Sequence, residues 1–468
     1  MEIFDILNRA LEPGMVYRGD DASMTRYRSD VLISMSAGTN PAAIVLPKTV
    51  EQLATTLKLC HEQGTPVTPQ GGLTGVVGGA VPTSGGVALS VERMRSIIEL
   101  DADAATMTVE AGAPLQAVQT AAEDAGFLFP LDLGARGSCA IGGNAATNAG
   151  GNRVLRYGMM RDLVLGIEVV LADGTIVTSL NKMLKNNAGY DVKHLFLGSE
   201  GTLGVITKLV LRLFPKPTSA CTAFCGVDSY ANAMKLLARC RNGLAGTLSA
   251  FEVMWPGFYE LAQKAVTKLP LAAEHSYYVL LDALGSDQES DQARFQQLME
   301  NALEDGIVTD AVIAQSGADS ASLWAVRDCV AEFPRLLGRN ASFDISIPTG
   351  KINDFIEACD RRLAQHTAQP RTVWFGHVAD SNVHLMARCE ETLSKDAIEA
   401  LVYETVRDWH GSVSAEHGIG LAKRPYLGYS RSPAELEVMH MLKAALDPRG
   451  ILNPGKVLPL ENPLDAQR

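Results

Sequence analysis

PQGGLTGVVGGAVPTSGG, residues Pro69 to Gly86, decides how the first half of the chain is read. So dense a run of glycine holds no regular element. A backbone without Cβ atoms can curl until successive N–H groups converge, which suits a diphosphate. Composition alone favours a flexible surface loop. Working outward, Ala43 to Leu46 is a short apolar run closed by Pro47. Thr49 and Glu51 then open a helical stripe of Leu53, Leu57 and Leu59 to Cys60 that ends at Gly64, and Pro66 to Thr68 starts a strand. A dinucleotide fingerprint is rejected here. Glu92 does lie about 20 residues past Gly72, as that fingerprint requires. However, Gly78, Gly79, Pro82, Gly85 and Gly86 occupy the span where a phosphate-capping helix should run.

Two further glycine-rich stretches follow. LGARGSCAIGGNAATNAGGNRVLRYG, Leu133 to Gly158, carries the small polar residues Ser138, Asn144, Thr147 and Asn148. GYDVKHLFLGSEGTLGVITKLVLRLFP, Gly189 to Pro215, ends in a long strand pattern from Gly204 to Phe214. Between them, Thr106 to Ala111 alternates as a strand and Pro114 to Ala125 has helical spacing. Leu163 to Leu171 forms a hairpin with Ile176 to Ser179 about Asp173-Gly174. Three glycine-rich turns, each at the end of a strand, imply a long ligand held largely by backbone, and a flavin dinucleotide fits. Pro215 and Pro217 mark a boundary. Beyond it, Tyr230 to Arg241, Pro256 to Ala265, Asp287 to Leu303 and Ser320 to Arg335 read as helices, while Tyr277 to Leu281 and Ser342 to Ile347 read as strands.

With 468 residues, 47% apolar and 20% charged, the chain has the composition of a globular protein of two or more domains. A net charge of -12 and a pI near 5.3 argue against wrapping nucleic acid or lying on an anionic membrane. MEIFDILNRALEPG lacks the basic start and apolar core of a signal peptide, and no apolar run approaches the roughly 18 residues of a membrane span. Eight scattered cysteines match neither a disulfide framework nor an iron–sulfur run. The expected setting is the reducing cytoplasm.

Chemistry concentrates later. GHVADSNVHL, Gly376 to Leu385, reads as two strands joined by an Asp380-Ser381 turn, which would pair His377 directly with His384. Cβ atoms about 5 Å apart would let both imidazoles reach one metal ion. A polar cross-strand pair is the plainer description. In GSVSAEHGIGLAKR, Gly411 to Arg424, a strand is expected to end at Glu416, with His417 at the bend and Gly418 and Gly420 turning the chain into a helix. Taken singly, Glu416 could be a capping carboxylate and His417 its neighbour. Arg327, following Trp324, could be a surface arginine paired with Asp328 or Glu332.

PQGGLTG, GSCAIGGNAATNAGGNRVLRYG and LFLGSEGTLGVITK together resemble the flavin-binding domain of the vanillyl-alcohol oxidase type, in the branch of D-lactate, glycolate and D-2-hydroxyglutarate dehydrogenases. The resemblance covers nearly the whole chain. It implies an α+β fold: a two-subdomain FAD-binding domain over 1–217, an α+β cap or substrate domain over 218–410, and a C-terminal segment over 411–468 that packs on the FAD domain. Pro69, Gln70, Gly71, Gly72, Leu73, Thr74 and Gly75 would hold the FAD pyrophosphate. Ser138, Gly142, Gly143, Asn144, Thr147, Asn148 and Gly151 would line the flavin and its ribityl chain. Glu200, Gly204 and Ile206 would meet the isoalloxazine or adenine side, and Asn453 would reach back to the flavin. Some relatives bind FAD covalently through a histidine in the first loop. Leu73 and Thr74 stand there instead, so dissociable FAD is expected.

The resemblance further implies oxidation of a D-2-hydroxy acid such as D-lactate to the 2-oxo acid. His377, His384 and Glu416 would hold a divalent metal, zinc or manganese, and His417 would be the general base, with hydride passing to flavin N5. Arg327 would bind the substrate carboxylate. Ser342 falls where relatives acting on D-2-hydroxyglutarate carry a lysine, and Met386 where relatives carry an asparagine, which implies a less polar substrate pocket. Asn382 would orient a histidine or touch the flavin. Electrons would leave to a separate carrier flavoprotein or a quinone, and a homodimer is the commonest assembly. Alternatives are a non-redox flavoenzyme resembling alkyl-glycerone-phosphate synthase, which would need a phosphate clamp, and a non-catalytic flavin electron-transfer subunit, which should lack the metal set. A metal hydrolase would leave the glycine-rich half unexplained.

Overall fold

A computed structural model describes residues 1–31, 39–367 and 370–460, so the last eight residues of the expected C-terminal segment lie outside the described part. The chain divides into two compact units. One comprises Met1–Gly151, Gly158–Lys216 and Glu416–Arg468, and the other Asn152–Tyr157 and Pro217–Ala415.

The first unit contains a four-stranded sheet in the order Val16–Arg18, Ala43–Val45, Val87–Ser90, Val67–Gln70. The last three strands are parallel, and helix Val50–Gln63 makes the crossover between Ala43–Val45 and Val67–Gln70. That helix is punctuated as its sequence requires. Thr49 and Gln52 form a reciprocal capping box at its start, and Gly64 ends it at φ 65°. No helix lies between Gln70 and Val87. A five-stranded antiparallel sheet follows, in the order Ile97–Asp101, Thr106–Glu110, Val205–Arg212, Val164–Val170, Ile176–Ser179. Val205–Arg212 is central and mostly buried, which its valine- and leucine-rich sequence favours.

The second unit is built on a seven-stranded antiparallel sheet. Its order is Asp310–Ile313, Ser219–Val227, Tyr277–Gly285, Leu248–Met254, Thr372–Gly376, Asn382–Arg388, Asn340–Ser346. Phe224, Met254, Tyr278, Val373, Phe375 and Met386 from these strands share one core with Phe258, Leu323, Val326 and Phe333 from helical segments. Phe258 sits 4.8 Å from Phe333 and 5.1 Å from Phe375, ring centre to ring centre. Each such side chain stabilises the unit by about 1.5–3 kcal/mol relative to exposure.

Two expectations of local structure are corrected. The helix expected over Ser320 to Arg335 is three pieces: Gly317–Asp328, a 3-10 turn Cys329–Glu332, and Phe333–Leu337. Pro334 explains the break, because it has no N–H to donate and its ring crowds the carbonyl four residues back. The strand expected to end at Glu416 is a single bridge between Ser412 and Ser346, and no helix begins until the 3-10 turn Arg424–Tyr429. Gly418 and Gly420 hold φ of 82° and 50°, which a helix cannot use.

Candidate active site

Strand Leu248–Met254 is buried along its whole length, yet Glu252 lies within it, wholly sealed from solvent. A lone carboxylate there would be severely penalised. It is tolerated because two partners meet it: Arg327 Nε donates to Oε2 at 2.7 Å, and His377 Nδ1 pairs with Oε1. Burial pushes the Glu252 carboxyl up, but His377 and Arg327 outweigh it and hold the group down to about 2. Arg327 is itself buried, with its guanidinium 4.8 Å above the Phe375 ring. Its partner is therefore neither Asp328 nor Glu332; the latter pairs with Arg335.

The hairpin that carries the histidines has a different register from the one expected. Phe375 faces His384 and Trp374 faces Leu385, so His377 lies beyond the ladder. The connection is a 3-10 turn, Val378–Asp380, followed by Ser381 at φ 75°. A two-residue hairpin turn of the expected kind needs positive φ at the first central position, and here Ser381 holds it but Asp380 does not. The slip is two residues, an even number, so the face on which each side chain lies is preserved. The two imidazoles stand edge to face at 5.5 Å, and His384 stacks on Phe375 at 4.9 Å.

On the neighbouring strand, Asp344 faces His384, Ser342 faces Met386 and Ser346 faces Asn382. Asp344 is wholly buried; Ser342 is exposed and donates to Asn340 Oδ1 at 3.0 Å. Met386 is buried in the apolar core. Asn382 is 3% exposed, and neither amide atom has a hydrogen-bond partner among the described residues. Such a group calls for a ligand or water. Sequence reasoning missed Glu252 and Asp344, and the available signal was an acid inside each of two apolar strand runs, SAFEVM and SFDISI.

Glu416 and His417 belong to the other unit. There Glu416 Oε1 accepts from Gly151 N at 2.7 Å, and a Cβ on Gly150 would come within 2.5 Å of the same oxygen. His417 is exposed. The loop after it is held by Glu200, whose two oxygens accept from Ile419 N at 2.7 Å and Gly420 N at 2.9 Å. Burial pushes the Glu200 carboxyl up, with only backbone amides and more distant lysines opposing it. Asn453 Nδ2 donates to the carbonyls of Gly79 and Glu200.

A cavity of about 680 Å³ is lined by Gly71, Gly72, Leu73 and Ser138 together with Arg93 and Arg95, basic residues that sequence reasoning did not single out. Pro69 and Gln70 end strand Val67–Gln70; Thr74 and Gly75 continue the loop. Gly142, Gly143 and Asn144 lie in the short helix Ile141–Ala146, and the Thr147 hydroxyl bonds back to Gly143 O. Gly204 is required by packing, since a Cβ would meet Val169 at 2.6 Å, and Ile206 is buried in its strand. Leu73, Asn148, Glu200 and Asn453 all hold positive φ without being glycine, the kind of strain that gathers at binding sites. The residues fit a flavin dinucleotide: Gln70 Oε1 and Asn144 Oδ1 are buried without partners, and a Cβ on Gly72 would strike Ser138 O at 2.1 Å, so backbone meets backbone here.

Family models match on both halves. The FAD binding domain matches residues 41–179, and the FAD linked oxidases C-terminal domain matches residues 216–457. The chain is 41% identical to D-2-hydroxyglutarate dehydrogenase, mitochondrial, of Bos taurus over 89% of this chain and 76% of that one. It is 38% identical to a putative D-lactate dehydrogenase, mitochondrial, of Schizosaccharomyces pombe, over 97% and 87% respectively. An alkyldihydroxyacetonephosphate synthase structure superposes with a TM-score of 0.73, covering 97% of this chain and 84% of that one; at 17% identity it shows the fold alone. The bovine and Schizosaccharomyces pombe proteins are described as mitochondrial, which overturns the cytoplasmic setting expected from the sequence. No helix among the described residues is long and apolar enough to cross a membrane. The two-part α+β architecture expected from the glycine-rich motifs is the one observed, and the chain belongs to the FAD-linked oxidases of the vanillyl-alcohol oxidase type, an oxidoreductase of the D-2-hydroxy-acid dehydrogenase branch.

Proposed function

We propose that the protein oxidises a D-2-hydroxy acid to the 2-oxo acid with dissociable FAD, and that His377, His384 and Glu416 hold a divalent metal, zinc or manganese. The observation that carries the metal reading is the imidazole pair 5.5 Å apart with His377 Nδ1 committed to Glu252. Metal-bound histidines typically donate their other ring N–H to a carboxylate in this way. Two imidazoles and one carboxylate form a donor set that leaves coordination positions for substrate. Bound FAD supplies a hydride acceptor, and a bound divalent ion supplies a Lewis acid for the substrate hydroxyl.

His417 takes the hydroxyl proton. Arg327 grips the substrate carboxylate: Glu252 occupies its Nε, and no described residue bonds its terminal nitrogens. Asn382 offers its unpartnered amide to the substrate or flavin. Ser342 and Met386, opposed on adjacent strands, make the side-chain end of the pocket neutral. Residues 1–217 with 411–468 serve FAD, residues 218–410 serve the substrate, and electrons leave to a carrier flavoprotein or quinone. Anaerobic titration with D-lactate, D-2-hydroxyglutarate and less polar D-2-hydroxy acids should bleach the flavin with at least one of them. If none does, and removing and restoring metal changes nothing, the reading fails.

A further inference from the structure

Glu252, His377, His384, Phe375 and Arg327 form a closed ring of contacts within one unit. The Glu252 carboxylate joins His377 to Arg327, Arg327 covers Phe375 at 4.8 Å, Phe375 stacks on His384 at 4.9 Å, and His384 meets His377 at 5.5 Å. Removing any of these side chains opens the ring. Glu252 is the only acid in it, and its two oxygens serve different partners.

We infer that Glu252 is the positioning residue of this site, fixing His377 for the metal with one oxygen and Arg327 for the substrate carboxylate with the other. The inference rests on the function proposed above. A carboxylate at Nδ1 requires a proton on that nitrogen, which assigns Nε2 as the coordinating atom and fixes the ring plane. The same carboxylate holds Arg327 by Nε, so the guanidinium presents its terminal nitrogens side by side, as bidentate recognition requires. Stability alone gives no reason for the arrangement, because a buried ion pair contributes little beyond what apolar residues of similar volume would. Its value lies in orientation. A consequence is that one substitution should weaken two functions at once.

The test is Zn²⁺ affinity by chelator competition on the FAD-loaded protein, in parallel with KM and kcat, for wild type, Glu252→Gln, Glu252→Asp and the double variant Glu252→Gln with Arg327→Met. Glu252→Gln should lose 10–100-fold in Zn²⁺ affinity and raise KM as well as lower kcat. Glu252→Asp, which keeps the charge, should recover part of both. If Glu252→Gln does not fold, the double variant decides, since it leaves no unpaired buried charge; its Zn²⁺ affinity should still fall. Unchanged Zn²⁺ affinity in either folded variant overturns the inference while leaving the proposed function intact. Absence of Zn²⁺ and Mn²⁺ binding by wild type overturns both.

Discussion

Glu200 and Glu252 are both buried, in different units, and they are handled oppositely. Glu200 accepts two backbone N–H groups and its carboxyl is pushed up by burial. Glu252 stands between a guanidinium and an imidazole; burial pushes its carboxyl up, but these two partners outweigh that and hold it down to about 2. Burial by itself therefore does not say whether an acid is charged; its partners do. The difference also separates two kinds of work. Glu200 shapes a loop, the one that carries Glu416 and His417, whereas Glu252 orients a guanidinium and an imidazole.

The largest effect should come from breaking the chemistry on the loop and leaving the ring intact. His417→Asn should slow anaerobic flavin reduction by about 10²–10⁴-fold, the usual contribution of a general base, with Zn²⁺ affinity and flavin absorbance unchanged. Stopped-flow spectroscopy reads the rate. A variant that reduces flavin at the wild-type rate would remove His417 from the mechanism and reduce the loop that Glu200 holds to a structural feature.

Next in size is the stability contrast between the two acids. Glu252→Gln leaves a buried guanidinium without its counter-charge and should cost about 3–5 kcal/mol. Glu200→Gln leaves one neutral N–H facing an amide donor and should cost about 1–3 kcal/mol. Denaturant unfolding of the two variants side by side gives the order, and equal costs would mean that the ring and the loop depend on charge to the same degree.

Sequence legibility follows the same division. The loops were readable because glycine, proline and caps act locally: Thr49 and Gly64 bound a helix where their chemistry requires it, and the glycines after Gln70 exclude one. The histidine hairpin was readable in kind and wrong in register, since Asp380-Ser381 cannot make the tight turn and the chain takes a longer path. For Glu252 the sequence offers only an acid inside an apolar run, and its role is not readable from that. Its meaning comes from Arg327, 75 residues away, and from His377, which only the order of strands brings beside it. The Trp324 and Arg327 pattern marks Arg327 without naming Glu252 as its partner, and the helix expected to carry it ends at Asp328, well before Pro334.

The smallest predicted effect tests how far the special geometry of the Glu200-held loop extends. Gly420 has φ 50°, and a Cβ there would lie 2.3 Å from Val77 O, so Gly420→Ala must distort either the loop or its neighbour and should destabilise by more than about 1 kcal/mol. Gly428, eight residues on, is exposed, has no positive φ, and would find nothing within 4 Å of an added Cβ. Gly428→Ala should therefore stabilise, by about 0.4–1 kcal/mol, because it restricts only the unfolded chain. Thermal unfolding of the pair reads opposite signs from the same substitution. Matching signs would mean that the loop geometry imposed at Ile419 and Gly420 continues into the 3-10 turn Arg424–Tyr429, and that Glu200 controls a longer segment than its two hydrogen bonds reach.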